Sequence, residues 1–532
     1  MIWLTIAEAL VTAACCTLAS LRFLHMLQLE SYQLPGYRRY LASHPQALRG
    51  LALMAGVGCT AGAWVLSGLL TAVARGNTPV VIANIIAMGA LVFLTAAMES
   101  RRRATKEKKP FAYTKRMKRL IGACAGVSII AAALIAASPI PAYILIALVP
   151  WLPMAAGMCM QPVENHINMG FFRDAQATLA ARPDLIKIGI TGSFGKTSTK
   201  FVLATILSEK YCVLASPASF NTPMGLTKVI REMLEPRHEV FIAEMGARHK
   251  GDIKELIELV HPQYGLLTSV GAQHLETFGD METIARTKYE LIDGIEEAGG
   301  SAFFVADGGI VDSLYNKASC KKTLVWREGD ANGCWAKDIE CGPSGSRFTL
   351  MLKGREIPVT TALLGSHNIK NICLACACAA ELGLNDTQIM RGVSKLKPVE
   401  HRLQLLPSAG GIAVIDDAFN ANPVGAKEAL RVLGSFPGRH IVVTPGFVEE
   451  GGMEENMNRE LGRQIAENCD IAILIGKKHA EPIAKGAREA GMPEYAVHLV
   501  SSLEEAQAIL GAVGMKGDTV LFENDLPDNY NE

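Results

Sequence analysis

The chain of 532 residues carries 52 lysines and arginines against 52 aspartates and glutamates, a formal net charge of +0, with a mean hydropathy of +0.21. That length suggests roughly three or four domains, and the charge balance excludes a global preference for polyanions, so nucleic acid is not an expected partner. Thirteen scattered cysteines form no secreted disulfide pattern and suit a reducing compartment.

Residues 1–160 read as a membrane domain. Five apolar stretches, 2–24, 51–74, 79–98, 120–137 and 140–160, can each cover most of a ~30 Å hydrocarbon layer. The last two are separated only by "SPIP", and Pro150 and Pro153 interrupt the fifth. Four spans with a re-entrant or interfacial segment is therefore the alternative. The first stretch has no basic residue before Arg22 and does not read as a cleavable signal. From Arg101 to Arg119, "RRRATKEKKPFAYTKRMKR" holds ten basic residues and one acid, Glu107. Flanked by apolar spans, this run reads as a cytoplasmic loop. Arg38, Arg39 and Arg49 mark a second such loop. The positive-inside rule then places the N-terminus outside, and five spans deliver the rest of the chain to the cytoplasm. Glu8 lies near the outer end of the first stretch, where headgroup contact outweighs a functional role. No paired ionisable residues suggest a transport path, so the domain reads as an anchor whose partner is the lipid bilayer.

Residues 161–184, with helical spacing and a mixed charge face, suit a connecting helix. From 185 to 398, "IKIGITG", "EVFIAEMGA" and "YGLLTSVGA" alternate with helical periodicity, which predicts a central α/β domain with a mainly parallel sheet. From 399 to 532, "GIAVIDDAF", "RHIVVTPGF", "DIAILIG" and "DTVLFEND" predict a smaller α/β domain. Cys373 and Cys376 form a C-x-x-C with Cys378 beside them, in "NICLACACAAELG". Lacking a second ligand pair, they read as small thiols packing a helix face.

"TGSFGKTSTK" has the physics of a phosphate-holding loop between a strand and a helix, although Ile190 stands where the general pattern needs glycine. Gly192 and Gly195 let the backbone turn its N–H groups toward phosphate oxygens, and the helix N-terminus adds positive partial charge. Lys196 supplies a cation, and Thr197 a hydroxyl for Mg²⁺. Thr191, Ser193 and Ser198 complete the loop.

The loop also resembles that of the Mur ligase family, the ATP-dependent amide-forming enzymes of bacterial peptidoglycan assembly. "SFNTPMGLT", "EMGARHKGDI", "SVGAQHLETFGDMETIARTKYELI", "GSHNIKN" and "VIDDAFNANP" follow in the family's order over residues 187–422. They are most similar to the branch that adds D-alanyl-D-alanine to a muramoyl-tripeptide. The resemblance implies a P-loop central domain, a Rossmann-like C-terminal domain, ATP, two Mg²⁺ ions, a carboxylate substrate and an amine co-substrate. It implies that ATP phosphorylates the carboxylate and the amine displaces phosphate, with metal ions and cations stabilising the phosphoryl oxygens. It gives Glu244 and His274 to the second Mg²⁺, and makes Lys288 a carbamylated metal partner. It sets Asn368 and Asn371, with His367 beside them, on adenine. Arg402 goes to the γ-phosphate and Asp417 to the nucleotide, while Ala418 stands where serine is usual. Asn221, Thr222, Asn420 and Asn422 fall in motifs that meet substrate.

Both substrate-choosing ends depart from the family. Membrane spans replace the soluble domain for the UDP-sugar precursor. "VLFENDLPDNY" replaces a "KGSR"-like end, and "TPGFVEEGG" a "GDMLELG"-like loop. The expectation is a membrane-anchored ligase acting in cell-wall biosynthesis on a lipid-linked or polymeric acceptor, with Glu523, Asp525 and Asp528 as candidates to hold the amine. The alternative is conventional D-alanyl-D-alanine addition to UDP-muramoyl-tripeptide, with the spans as a tether. An ATPase-driven transporter would need a polar path and an "LSGGQ" signature, neither of which is present. An ATP-binding scaffold is opposed by Lys196, Glu244, His274, Lys288 and Arg402. The sequence leaves the oligomeric state open.

Overall fold

The computed structural model describes residues 2–30, 32–44, 62, 78–104, 110–136, 142–217, 220–271, 273, 275–342, 344–398, 401–406, 411–418, 423–447, 454–476 and 479–524. The chain divides into two compact units, Met1–Gly170 and Phe171–Glu532.

The first unit holds α1 (Ile2–Leu29), α2 (Leu34–Ser43), α3 (Thr78–Ala104), α4 (Lys115–Ala136) and α5 (Leu152–Ala180), the last entered through a 3-10 turn at Ala142–Trp151; the described apolar stretches lie in α1, α3, α4, this turn and α5, whereas α2 carries Arg38 and Arg39 of the expected basic loop. Among the described residues four helical segments, Ile6–Leu29, Val81–Ser100, Lys115–Ile135 and Ile144–Ala180, are long and apolar enough to cross a membrane. The stretch 51–74 lies outside the described residues. Leu24, Leu27, Tyr37, Leu91, Cys124 and Val149 build a shared core, and Tyr37 donates its hydroxyl to the Pro150 carbonyl at 2.5 Å. At the basic end of α4, Arg119 forks onto the buried Glu164 carboxylate at 2.6 and 2.7 Å. The helix of the fifth apolar stretch does not end where the apolar residues do, near residue 160. Pro153 sits in the first turn of α5, where a missing N–H costs nothing, and the helix continues through the expected connector to Ala180.

The second unit holds two sheets. The larger is built from β1 (Ile186–Thr191), β2 (Val213–Ala215), β3 (Val240–Glu244), β4 (Tyr264–Leu267), β5 (Ser301–Val305), β6 (Lys321–Val325), β7 (Cys334–Gly342), β8 (Gly345–Leu352) and β9 (Arg355–Thr361). Their order is β2-β3-β1-β4-β5-β6-β7-β8-β9. The first six run parallel, and β7, β8 and β9 close the far edge as antiparallel hairpins. The parallel strands are apolar throughout because helices cover both faces; Ile188 and Ile242 face one core, Phe241 and Ala243 the other. The smaller sheet comprises β10 (Gln404–Leu406), β11 (Ala413–Asp417), β12 (His440–Thr444), β13 (Ile471–Ile475), β14 (Val497–Val500) and β15 (Thr519–Glu523), in the order β10-β11-β15-β12-β13-β14. Only β10 is antiparallel. The mainly parallel central sheet and the smaller C-terminal α/β domain are as expected.

Four helices carry or support the candidate site residues: α6 (Lys196–Leu207), α7 (Pro223–Met233), α8 (Met281–Glu297) and α9 (Ser366–Glu381). Small side chains on α9, including buried Cys373, Cys376 and Cys378, pack against the sheet. Among the described residues no group of three or more His, Cys, Asp or Glu side chains is placed to hold a metal ion by itself.

Candidate active site

The chain leaves β1 at Thr191 and enters α6 through a turn whose backbone demands glycine. Gly192 has φ +146, and a Cβ there would lie 2.0 Å from the Thr268 hydroxyl; Gly195 has φ +81. The turn is clamped from the segment after β4. The Ser193 N–H donates to the Ser269 carbonyl at 2.8 Å, and the Phe194 N–H to the Ser269 hydroxyl at 3.0 Å. Ser193 Oγ also bonds both the carbonyl and the N–H of Gly271 at 3.0 Å. Two loop donors thus already have partners. The N–H groups of Lys196, Thr197 and Ser198, in the first turn of α6, have no carbonyl inside the helix to meet. Lys196 Nζ folds over the turn onto the Gly192 and Ser193 carbonyls, at 2.7 and 3.1 Å. Burial lowers its pKa to about 8, with Arg402 acting in the same direction and Glu244 against.

Glu244, at the end of β3, is the hub. It is 1% exposed. Thr197 Oγ1 lies 3.1 and 3.0 Å from its two oxygens, Asn221 Nδ2 donates at 3.1 Å, and Lys200 Nζ forms a fully buried ion pair at 2.8 Å. Sequence reasoning missed Lys200; the available signal was a lysine set among the apolar residues of α6. Lys288, on α8, is 2% exposed. Burial lowers its pKa to about 7, and the charge on Lys196 adds to the shift.

The α9 N-terminus supplies the remaining residues of this lobe. Asn371 Oδ1 would stand 3.1 Å from a Cβ at Gly195. Asn368 is turned inward, its Nδ2 donating to the Leu364 carbonyl at 2.8 Å. Buried His367 Nδ1 has no hydrogen-bond partner among the described residues, and burial drives this imidazole's pKa down to about 4, which keeps it neutral. The Thr191 hydroxyl bonds the Met245 carbonyl, and Thr222 caps α7 through the Gly225 N–H. Both hydroxyls therefore have structural partners. His274, Asn420 and Asn422 lie outside the described residues.

From the C-terminal domain come Arg402 and Asp417. Arg402 sits between His401 and Leu403, both in the left-handed region at φ 58 and 43. The Leu403 N–H donates to Asp417 Oδ1 at 3.1 Å, and His401 Nδ1 lies 2.7 Å from Asp416. Burial lowers the pKa of Arg402, while Asp417 and Glu244 oppose the shift. Burial raises Asp417 to about 6 against the pull of Arg402. On the neighbouring strand, burial and the charge of Asp417 raise Glu523 to about 8. Both carboxyls hold protons in the folded chain that the unfolded chain has released. Their stabilisation is complete at about pH 4, declines as pH rises through about 6, and is lost above about 8. The thermal midpoint is therefore expected to fall between those limits, and Glu523→Gln to flatten the upper part of that slope in pH-dependent melting.

Two family descriptions match the second unit: "Mur ligase middle domain" over residues 190–379 and "Mur ligase, glutamate ligase domain" over residues 401–523. Together they cover more than half of the chain. It belongs to the Mur ligase family. The UDP-N-acetylmuramoyl-tripeptide–D-alanyl-D-alanine ligase of Bacillus subtilis is 32% identical over 378 residues, 68% of this chain and 79% of that one. The ligase of the same name from Treponema pallidum is 34% identical over 343 residues, 64% of this chain and 72% of that one. Among solved structures, MurF from Acinetobacter baumannii superposes with a TM-score of 0.61 at 25% identity, covering 67% of this chain and 77% of that one. MurF ligase from Thermotoga maritima in complex with ADP gives 0.60 at 25%, covering 67% and 80%. As a Mur ligase the chain is an ATP-dependent enzyme that forms C–N bonds, using ATP and Mg²⁺. The residues present fit that metal: Mg²⁺ takes oxygen ligands, and the Glu244 carboxylate and Thr197 hydroxyl offer them side by side.

Proposed function

We propose that this Mur ligase adds D-alanyl-D-alanine to the free carboxylate of a UDP-muramoyl-tripeptide, the reaction in its relatives' names, with the apolar helices tethering it to a membrane. The observation that carries the reading is the gathering of Lys196, Glu244, Lys288 and Arg402 about the first turn of α6. Two cations, Lys196 and Arg402, with a metal-binding carboxylate and the Lys288 amine beside them, suit a transferring phosphoryl group. The relatives' names favour the UDP-linked carboxylate over the lipid-linked or polymeric acceptor that the spans suggest.

In this reading Lys196 and the first-turn N–H groups hold the β- and γ-phosphates, and Arg402 meets the γ-phosphate from the C-terminal domain. Asn371 and neutral His367 face the adenine, and Asp417 orients Arg402. Two Mg²⁺ ions, held through Thr197, Glu244, His274 and Lys288, would neutralise phosphate charge. The carboxylate oxygen takes the γ-phosphoryl group as its bond to ADP breaks, giving an acyl phosphate and ADP; the neutral amine then attacks the acyl carbon, phosphate leaves, and the amine's proton passes to water.

The Lys288 amine, at about pKa 7, is partly neutral at neutral pH and can attack CO₂. An N–C bond forms, the proton passes to water, and a carbamate anion replaces a cation beside Lys196. Labelling with ¹³C-bicarbonate is expected to give a carbamate carbon resonance that disappears in Lys288→Arg. An identical spectrum for the two proteins refutes the modification.

The function itself is tested by incubating detergent-solubilised protein with UDP-muramoyl-tripeptide, D-alanyl-D-alanine, ATP and Mg²⁺. Stoichiometric pentapeptide product and phosphate are expected. Turnover only with a lipid-linked muramoyl peptide would overturn the soluble-precursor reading.

A further inference from the structure

We propose that Glu523 receives the ammonium group of the amine substrate, a role that rests on the ligase reading above. Glu523 closes β15, an interior strand of the C-terminal sheet flanked by β11 and β12. Open α/β sheets bind ligands at the carboxyl ends of their parallel strands, and Glu523 lies at that edge in register with Asp417. Its two oxygens differ. Thr444 Oγ1, at the end of β12, donates to Oε2 at 3.0 Å. Oε1 is buried with no hydrogen-bond partner among the described residues, on a residue only 1% exposed. Buried acceptors are satisfied almost everywhere in folded proteins, so this oxygen marks a place for a donor that the fold itself does not supply.

The surrounding charges say which kind of donor. Asp417 is the adjoining carboxylate, and Asp416 beside it is paired with His401. Arg402 acts on Asp417. No lysine or arginine pairs with Glu523 among the described residues. Asn524 reaches across to the Gly446 carbonyl at 2.6 Å and leaves Oε1 alone. A carboxylate ligand would raise both pKa values further and leave Asp417 and Glu523 without a counter-charge. An ammonium would favour the ionised Glu523 over the proton that it holds without a ligand, satisfy Oε1 and offset both acids. Glu523 thus distinguishes the amino end of a dipeptide from its carboxyl end. The side chain is sealed from solvent, so the amine reaches it through a local opening of the strand edge.

The test uses the full chain in detergent with ATP, Mg²⁺ and UDP-muramoyl-tripeptide, comparing wild type, Glu523→Gln and Thr444→Val. The KM for D-alanyl-D-alanine is expected to rise on the order of 10- to 100-fold in Glu523→Gln, as for loss of a charge-assisted hydrogen bond. It rises less in Thr444→Val, and the KM values for ATP and the UDP precursor stay unchanged. N-acetyl-D-alanyl-D-alanine, which lacks the ammonium, should not compete in the wild type. An unchanged amine KM in both variants, an equal rise in the KM for ATP, or competition by the acetylated dipeptide overturns the proposal. If wild type makes no product from this substrate pair, the functional reading has failed separately. D-alaninamide is then titrated directly into the ADP-loaded protein. Binding that weakens in Glu523→Gln sustains the role of Glu523, and absent or equal binding overturns it.

Discussion

Lys196→Ala is expected to reduce amine-dependent phosphate release by about 10²- to 10³-fold, the usual cost of removing one preorganised stabilising group from a charged transition state. Three observations make the loss catalytic, with the fold left intact. Among the described residues the Lys196 ammonium bonds only carbonyls of its own loop, those of Gly192 and Ser193. The turn keeps its shape through Ser269 and Gly271, whose bonds to Ser193 and Phe194 do not involve the lysine. The two glycines fix the backbone whatever side chain comes next. Thermal unfolding of the variant should therefore match wild type while turnover collapses. Phosphate release at the wild-type rate would remove Lys196 from the chemistry and with it the assignment of this loop.

Lys200→Met carries the largest expected effect on stability. The Lys200–Glu244 pair is fully buried, and removing one partner of such a pair costs about 3–5 kcal/mol, because the other charge stays in place without compensation. For a lobe of this size each kcal/mol moves the midpoint by about 2–4 °C, so the variant is expected to melt on the order of 10 °C lower. Adding Glu244→Gln removes the stranded charge and should recover a good part of that loss. A double variant no more stable than Lys200→Met would mean that the lysine matters through packing alone.

How much the sequence disclosed depends on how local each signal is. β1, β3, β4, β11, β12, β13 and β15 are short apolar runs bounded by turn residues, and sandwiching between helices makes such strands apolar on both faces. The hairpins β7–β9 went unforeseen because β7 is mostly half-buried or exposed, β8 and β9 bury only alternate residues, and no neighbouring motif marks them. β2 and β14, of three and four residues, are too short to show any period. The phosphate loop could be read because its glycines, lysine and threonine are contiguous. Lys200 could not, since its significance depends on Glu244, 44 residues away. The orphaned oxygen of Glu523 depends on a neighbour 79 residues away, Thr444, which takes only the other oxygen. Pro150 and Pro153 read as interruptions of the fifth stretch, but Pro153 stands in the first turn of α5, where proline acts as an initiator.

The clamp on the phosphate turn bears on how the enzyme handles successive nucleotides. A loop that must fold around its ligand gives up conformational entropy at every turnover, which weakens affinity and slows capture. Here the backbone between Gly192 and Gly195 is already bonded to the segment after β4, so in the proposed function ATP would meet a preformed turn and ADP would leave the same turn behind. Exchange of spent for fresh nucleotide would then need no refolding of the turn.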